Sequence, residues 1–373
     1  MDTHHFDIIV IGAGIAGATV AASLAPTHRV ALIEAEEAAG YHSTGRSAAI
    51  WILNYGPSDV RTLTGLSRPF LEAPPPGFAD HPLLSLRSVL FLAPQEQMPS
   101  LERLLKDGIG VRPIALEEVK ARVPALIDGY AVAAAIEDEA FDMDVAAIHQ
   151  GFLRQMRAAG GVLELRHRAG RIVRSSDGRW HVETSAGDTF TAPIVVNAAG
   201  AWGDVVARAA DVVPLGLVPC RRTGIIIDAA PYDTRQWPMT QDVDHTWYTR
   251  PEAGGKLMVS PADETPMEPQ DVQPDELDIA IGIDRMQHAL SIDVRRVEHS
   301  WAGLRTFTPD RSLAFGWDDA APGFFWCVGQ GGYGIQTSPA AGQLVADMIS
   351  GRDPGPAGAV LKAIDPKRFR KSA

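Results

Sequence analysis

FDIIVIGAGIAGATVAASLA, running from Phe6 to Ala25, is twenty largely apolar residues at the head of the chain. Its length suits a membrane span, which needs about 20 apolar residues. A secretory leader carries basic residues in front, whereas Asp2, Thr3, His4 and His5 stand here. The glycines divide the stretch into a β-rich run, Ile8 to Ile11, and a small-residue helical run, Ile15 to Leu24. Strand, turn and helix is the reading. Gly12, Gly14 and Gly17 then fit G-x-G-x-x-G between a strand and a helix. The first glycine permits the tight turn, the second admits a pyrophosphate, and the third lets helix and strand pack closely. A phosphate at such a helix N-terminus meets unpaired N–H groups and a favourable dipole. Arg29 to Glu34 reads as a second strand ending in an acid, twenty-two residues beyond Gly12. A carboxylate there suits ribose hydroxyls and repels a 2′-phosphate, so a dinucleotide other than NADP is expected.

The rest of the composition agrees with a folded globular protein. The 373 residues carry a net charge of −12 and are 46% hydrophobic, which excludes a disordered chain and a basic nucleic-acid binder. Two cysteines, Cys220 and Cys327, make neither a disulfide framework nor a zinc cluster, so no metal is expected. A reducing cytosol is the expected compartment, with peripheral membrane association left open. Length alone suggests about two to three domains. Helical spacing covers 60–72, 144–159 and 273–290. Short strands are expected at 88–92, 162–165, 171–174, 180–183, 194–197, 217–227, 247–249, 256–260, 312–316 and 324–328. A closing helix is expected over 334–349, and the residues after Arg352 read as a surface tail.

Three further segments share one character. Gly40-Tyr-His-Ser-Thr-Gly45-Arg46-Ser47-Ala-Ala49 is rich in hydroxyls and carries one guanidinium, as a loop against a pyrophosphate would. Ile194 to Trp202 is a buried-looking strand running into Asn197-Ala-Ala-Gly200-Ala-Trp202. Gln330-Gly-Gly-Tyr-Gly334-Ile-Gln-Thr337 lies between a strand and the last helix, whose N-terminus can stabilise negative charge.

These motifs resemble the FAD-dependent D-amino-acid oxidase superfamily. The segments GYHSTGRSAA, His81 to Ser85, the run ending at Arg222, Trp301 to Arg305 and Gln330 to Ser338 are most similar to bacterial FAD-dependent D-arginine dehydrogenases. The resemblance covers about residues 6 to 350. It implies a mixed α/β fold in which a Rossmann-like FAD-binding domain (1–88, 144–215, 309–373) is interleaved with a substrate domain on an antiparallel sheet (89–143, 216–308). It implies FAD contacts from Gly12, Gly14, Ile15, Ala16 and Gly17, from Glu34 and Ala35, and from Ser43, Thr44, Arg46, Ser47 and Ala48. Val173, Ala199, Gly200, Trp202, Gly303 and Arg305 follow, then Gly331, Gly332, Tyr333, Gly334, Ile335 and Gln336. Neither cysteine matches a covalent-flavin position, so non-covalent FAD is expected.

The resemblance also implies a substrate site. Arg305, with Arg222 and Tyr248, is expected to hold a substrate carboxylate, since guanidinium offers planar bidentate recognition. Tyr55 is expected to orient the amine. Two positions depart from the arginine-oxidising pattern: Ile50 stands for a histidine, and Val89 for the acid that holds a cationic side chain. A guanidinium facing Val89 would be costly to desolvate, so an apolar side chain is expected. The implied reaction is oxidation of an α-amino acid, expected to be the D-enantiomer, by hydride transfer from Cα to flavin N5. The imino acid then hydrolyses to a 2-oxo acid and ammonia. Alternatives are a glycine- or sarcosine-type amine oxidase, a 2-hydroxy-acid dehydrogenase, and a flavin subunit of a larger electron-transferring complex. The acceptor (oxygen, quinone or a dye) and the oligomeric state stay open.

Overall fold

Ile8–Ile11 is wholly buried and pairs in parallel with Val30–Ile33 on one side and Ile194–Asn197 on the other. The computed structural model describes residues 3–370. A β-branched run with both faces covered is what a central parallel strand requires. Around it the sheet order is Val162–Glu164, Val30–Ile33, Ile8–Ile11, Ile194–Asn197, Phe324–Val328 and Ala314–Trp317. Only the last strand runs antiparallel. The apolar twenty-mer is therefore a central strand and the helix Ile15–Leu24. No helix among the described residues is long and apolar enough to cross a membrane.

Small residues let that helix pack tightly. A Cβ on Gly342, in the helix Ser338–Ser350, would lie 2.7 Å from Thr19 Cβ. A Cβ on Gly17 would lie 1.8 Å from the Gly12 carbonyl oxygen. Helix and turn thus touch through backbone, which only glycine allows.

A nine-stranded sheet forms a second layer, with one apolar cluster built around Leu90, Ile136, Ile225, Val259 and Met286. It is antiparallel apart from Met239–Asp242, which runs parallel to Val89–Ala93. Its longest pair is Val218–Asp228 with Val297–Phe307. The second of these strands was not expected, because His299, Ser300 and Arg305 break its apolar pattern. Four-stranded and three-stranded sheets complete the fold.

Two expectations are corrected. The closing helix starts at Ser338 rather than Gly334, with Pro339 in its first turn, where a missing N–H costs nothing. The residues beyond Arg352 are not a surface tail. Ala357, Val360 and Ile364 are buried, and Arg368 donates to Asp310 and to the Ser312 and Leu313 carbonyls.

Candidate active site

Four parallel strands end side by side, and the turn after each lines one cavity. Gly12 and Gly14 follow the first strand, Glu34 and Ala35 the second, Ala198–Trp202 the third, and Gln330–Gly332 the fourth. Open α/β sheets bind ligands in this crevice at the carboxyl ends of their strands. About 1650 Å³ of empty space lies within it, part of it open to solvent.

The cradle's chemistry suits a pyrophosphate. Gly12 has φ +102°, and a Cβ on it would strike the Ala198 carbonyl oxygen at 2.7 Å. Thr44 accepts the Ile15 amide at 3.0 Å, and no hydrogen bond among the described residues engages the Gly14 or Ala16 amide. Those donors, at the positive end of a helix, are free for an anion. Glu34 Oε2 accepts from Ala13 N at 2.8 Å and Oε1 from Glu36 N at 3.0 Å. The acid is thereby fixed at the end of its strand with lone pairs left for ribose hydroxyls.

Ile15, Ala16, Ser43, Arg46, Ser47, Ala48, Gly303, Gly334 and Ile335 also line the cavity. Their side chains are not all free. Ser43 donates to the Leu304 carbonyl at 2.5 Å. Arg46, expected at the pyrophosphate, pairs with Asp271 and donates to the Val272 and Ala302 carbonyls at 3.1 Å. Its charge is spent within the chain, tying the Gly40–Ser47 loop to the strand that carries Arg305.

Four expected cofactor residues do not line the cavity. Gly17 packs helix against turn, as above. Val173 pairs with His181 in the four-stranded sheet, beyond the lining segment His167–Ala169. Strand alternation buries Ile172 and turns Val173 to the opposite face. Tyr333 is buried edge-on against Tyr55, ring centroids 5.0 Å apart, and burial pushes its phenol up to about 12. Gln336 is buried and grips Ile52 like a strand partner: it accepts from Ile52 N at 3.3 Å and donates to Ile52 O at 3.2 Å. Conversely, sequence reasoning passed over His42, whose ring lies 4.5 Å from Trp202 and whose Nε2 is 3.2 Å from Glu36. It sat inside a quoted motif, but a ring partner 160 residues away leaves no mark in the sequence.

Arg222 and Arg305 come together by strand register. Cys220 pairs with Arg305 and Arg222 with Gly303, so the two arginines are diagonal neighbours on one face, about 7–8 Å apart at that spacing. Their partners differ. Arg222 donates from Nε to the Asp263 carbonyl at 2.8 Å and from Nη2 to Glu264 at 3.1 Å. Arg305 donates from Nη1 to the Tyr55 hydroxyl at 2.9 Å and forms no ion pair among the described residues. Burial pulls its guanidinium down, yet Tyr55, Tyr248, Tyr333 and Glu264 around it hold the net shift upward, so it stays charged. Tyr248 shows the reciprocal effect. Burial pushes its phenol up, but Arg305 and Arg222 outweigh that and bring it below its usual value. Tyr55, expected at the amine, spends its hydroxyl on Arg305 instead. Ile50 and Val89 do not line the cavity; they pack behind Tyr248 and Met258, which do.

A Cβ on Gly332 would lie 2.8 Å from the Tyr55 hydroxyl and 3.0 Å from Arg305 Nη1. Gly332→Ala is therefore expected to lower kcat/KM by about 5- to 150-fold, the range for overpacking by 1–3 kcal/mol, while flavin content is kept. Steady-state rates beside the flavin absorbance of the purified variant check this.

The family model described as FAD dependent oxidoreductase matches residues 7–348. The chain belongs to the FAD-dependent oxidoreductase family. Its cofactor is FAD, and the glycine turn, Glu34 and the Gly40–Ser47 loop would hold it. Among curated proteins, glycine oxidase of Geobacillus kaustophilus is 28% identical, aligned over 94% of each chain. Among solved structures, L-proline dehydrogenase from P. horikoshii superposes with a TM-score of 0.82 at 21% identity, over 99% of this chain and 98% of that one. L-α-glycerophosphate oxidase from Mycoplasma pneumoniae, with FAD bound, gives 0.82 at 16% identity over 94% and 95%. At these identities the superpositions speak for the fold. The family membership makes the chain an FAD-dependent oxidoreductase.

Neither thiol lines the cavity, and burial raises both, Cys327 to about 12. Reactive thiols need the opposite environment. Acid precipitation of the loaded protein is thus expected to leave a colourless pellet and a yellow supernatant, read by absorbance.

Proposed function

We propose that the enzyme oxidises the Cα–N bond of an α-amino acid with an apolar side chain, in the D configuration, giving the imino acid and then the 2-oxo acid and ammonia. The observation that carries this is Arg305: a charged guanidinium facing the cavity with a phenol for a partner and no counter-ion among the described residues. Such a group recruits a carboxylate, and bidentate pairing orients the bound molecule as well as holding it. Bound FAD supplies the two-electron acceptor for the Cα–H bond. Tyr55 fixes the guanidinium, and Tyr248, with its phenol lowered by both arginines, adds a donor beside it. Arg222 is held back by Glu264, so it contributes field more than contact. Met258, Tyr248 and Trp301 offer apolar walls, with Ile50 and Val89 behind them.

The D configuration is supported by the resemblance at Tyr55, Arg222, Tyr248, Arg305 and Gly332. The split into FAD-binding segments (1–88, 144–215, 309–373) and substrate segments (89–143, 216–308) belongs to the same proposal. Non-covalent attachment does too. Initial rates on a panel of D- and L-amino acids, with oxygen and with a dye, test the function. Turnover of D-leucine, D-methionine or D-phenylalanine, with D-arginine and D-lysine poor, is expected. Activity confined to glycine or sarcosine, to L-forms, to 2-hydroxy acids, or to a complex with a partner chain would replace this reading.

A further inference from the structure

Glu137 is the last residue of the strand Ala133–Glu137 and stands opposite Val89 in the sheet. It is 2% exposed and has no cationic partner among the described residues. An acid buried without a counter-ion is costly, so its hydrogen bonds identify its use. One carboxylate oxygen accepts from Leu53 N and the other from Asn54 Nδ2, both at 2.9 Å. Burial pushes the carboxyl above its usual range, and the Leu53 and Asn54 donors oppose that. Asn54 has no freedom to turn its amide: it also donates to the Ile109 carbonyl at 2.9 Å and accepts from Ile109 N at 2.8 Å. The next residue is Tyr55, whose hydroxyl is the one side-chain partner of Arg305 among the described residues. On the other flank, Gln336 locks Ile52. The acid therefore grips the short loop that presents Tyr55 and touches nothing in the cavity.

We infer that Glu137 is a positioning residue: by holding Leu53 N and the Asn54 amide in one fork, it sets where the Tyr55 hydroxyl meets Arg305 and so aims the guanidinium at the substrate carboxylate. This rests on the reading of Arg305 as a carboxylate clamp. Glutamine at 137 keeps the size but presents an N–H to one of two donors, and the fixed Asn54 amide cannot flip to accommodate it. Propionate is the probe, titrated into the FAD-loaded full chain and followed by flavin absorbance. Glu137→Gln is expected to weaken propionate binding by about ten-fold, within the effect of leaving a buried donor unpaired. In a Tyr55→Phe background, where the hydroxyl link is gone, the same change is expected to cost under about two-fold.

Flavin content and melting temperature are measured for each variant. Should Glu137→Gln fail to fold, Asn54→Ser enters the same cycle. Loss in the parent that vanishes with Tyr55→Phe supports the inference. Unchanged binding, or an equal loss in both backgrounds, overturns it and leaves the clamp standing. A parent protein blind to propionate overturns the clamp and this inference together.

Discussion

Arg305→Lys is expected to retain FAD and lower kcat/KM by about 30- to 5,000-fold, corresponding to the 2–5 kcal/mol typical of a truncated charge pair. The effect should be large because, among the described residues, every other arginine lining the cavity is ion-paired, Arg168 with Glu36 included. Arg305 forms no ion pair among the described residues, while Arg222 is bound to Glu264 and Arg46 to Asp271. Lysine keeps a positive charge but offers a point, not a fork, so both affinity and aim are lost. It cannot be expected to reach the Tyr55 hydroxyl and a substrate at once. Uniform binding lost would raise KM, and orientation lost would lower kcat; both are expected to move. Arg222→Lys, whose donors face Asp263 and Glu264, should cost much less. Steady-state kinetics on the best substrate of the panel, with flavin absorbance as the loading control, gives the comparison. Arg305→Lys within two-fold of the parent would sink the clamp.

Gly17→Ala is expected to abolish FAD retention and to lower the melting temperature sharply. The added Cβ would sit 1.8 Å from the Gly12 carbonyl oxygen and 3.3 Å from Leu32 Cδ1. Relief would require the turn to move, and the turn is blocked behind by the Ala198 carbonyl, 2.7 Å from where a Gly12 Cβ would be. Overpacking of this kind typically costs 1–3 kcal/mol, and with backbone on both sides the upper end of about 3 kcal/mol or more is expected. A helix pushed off its turn also loses the amides aimed at the pyrophosphate. Gly65→Ala is the control. It is exposed in the helix Ser58–Glu72, its Cβ would meet only Leu53 Cδ1 at 3.6 Å, and it should stabilise by about 0.5–1 kcal/mol. The ratio of flavin to protein absorbance, with thermal melts, separates the two.

What could be read from the sequence was whatever demands a particular residue type. Gly12 needs positive φ, Gly17 and Gly332 need the space of a missing side chain, and Glu34 needs a charge at a strand end; each requirement leaves a fixed letter at a fixed spacing. Strand register was not legible. Trp301–Arg305 stood out as a motif, but only pairing with Val218–Asp228 shows that Arg305 lies diagonal to Arg222. Side-chain partners far along the chain were equally hidden. Nothing near Arg46 announces Asp271, and nothing near Gln336 announces Ile52. Those two were expected at the cofactor and instead spend their side chains on the protein. The C-terminal segment was misread for a different reason. Its prolines and glycines suggest a loop, yet Ala357, Val360 and Ile364 recur at helical spacing and are buried. There the signal was present and composition masked it.

The order of the sheet has a consequence for how the protein comes into being. Ile8–Ile11 leaves the ribosome well before its sheet neighbour Ile194–Asn197, and Phe324–Val328 follows later still. A nascent chain therefore carries the glycine turn for most of its synthesis without the Ala198 and Gly331 walls that complete the crevice. FAD capture thus waits for Phe324–Val328 to join the sheet, and until then it competes with protease and chaperone access to an unfinished sheet. Because the cavity draws its lining from segments far apart in the sequence, flavin scarcity should register as loss of whole molecules rather than as intact, colourless enzyme.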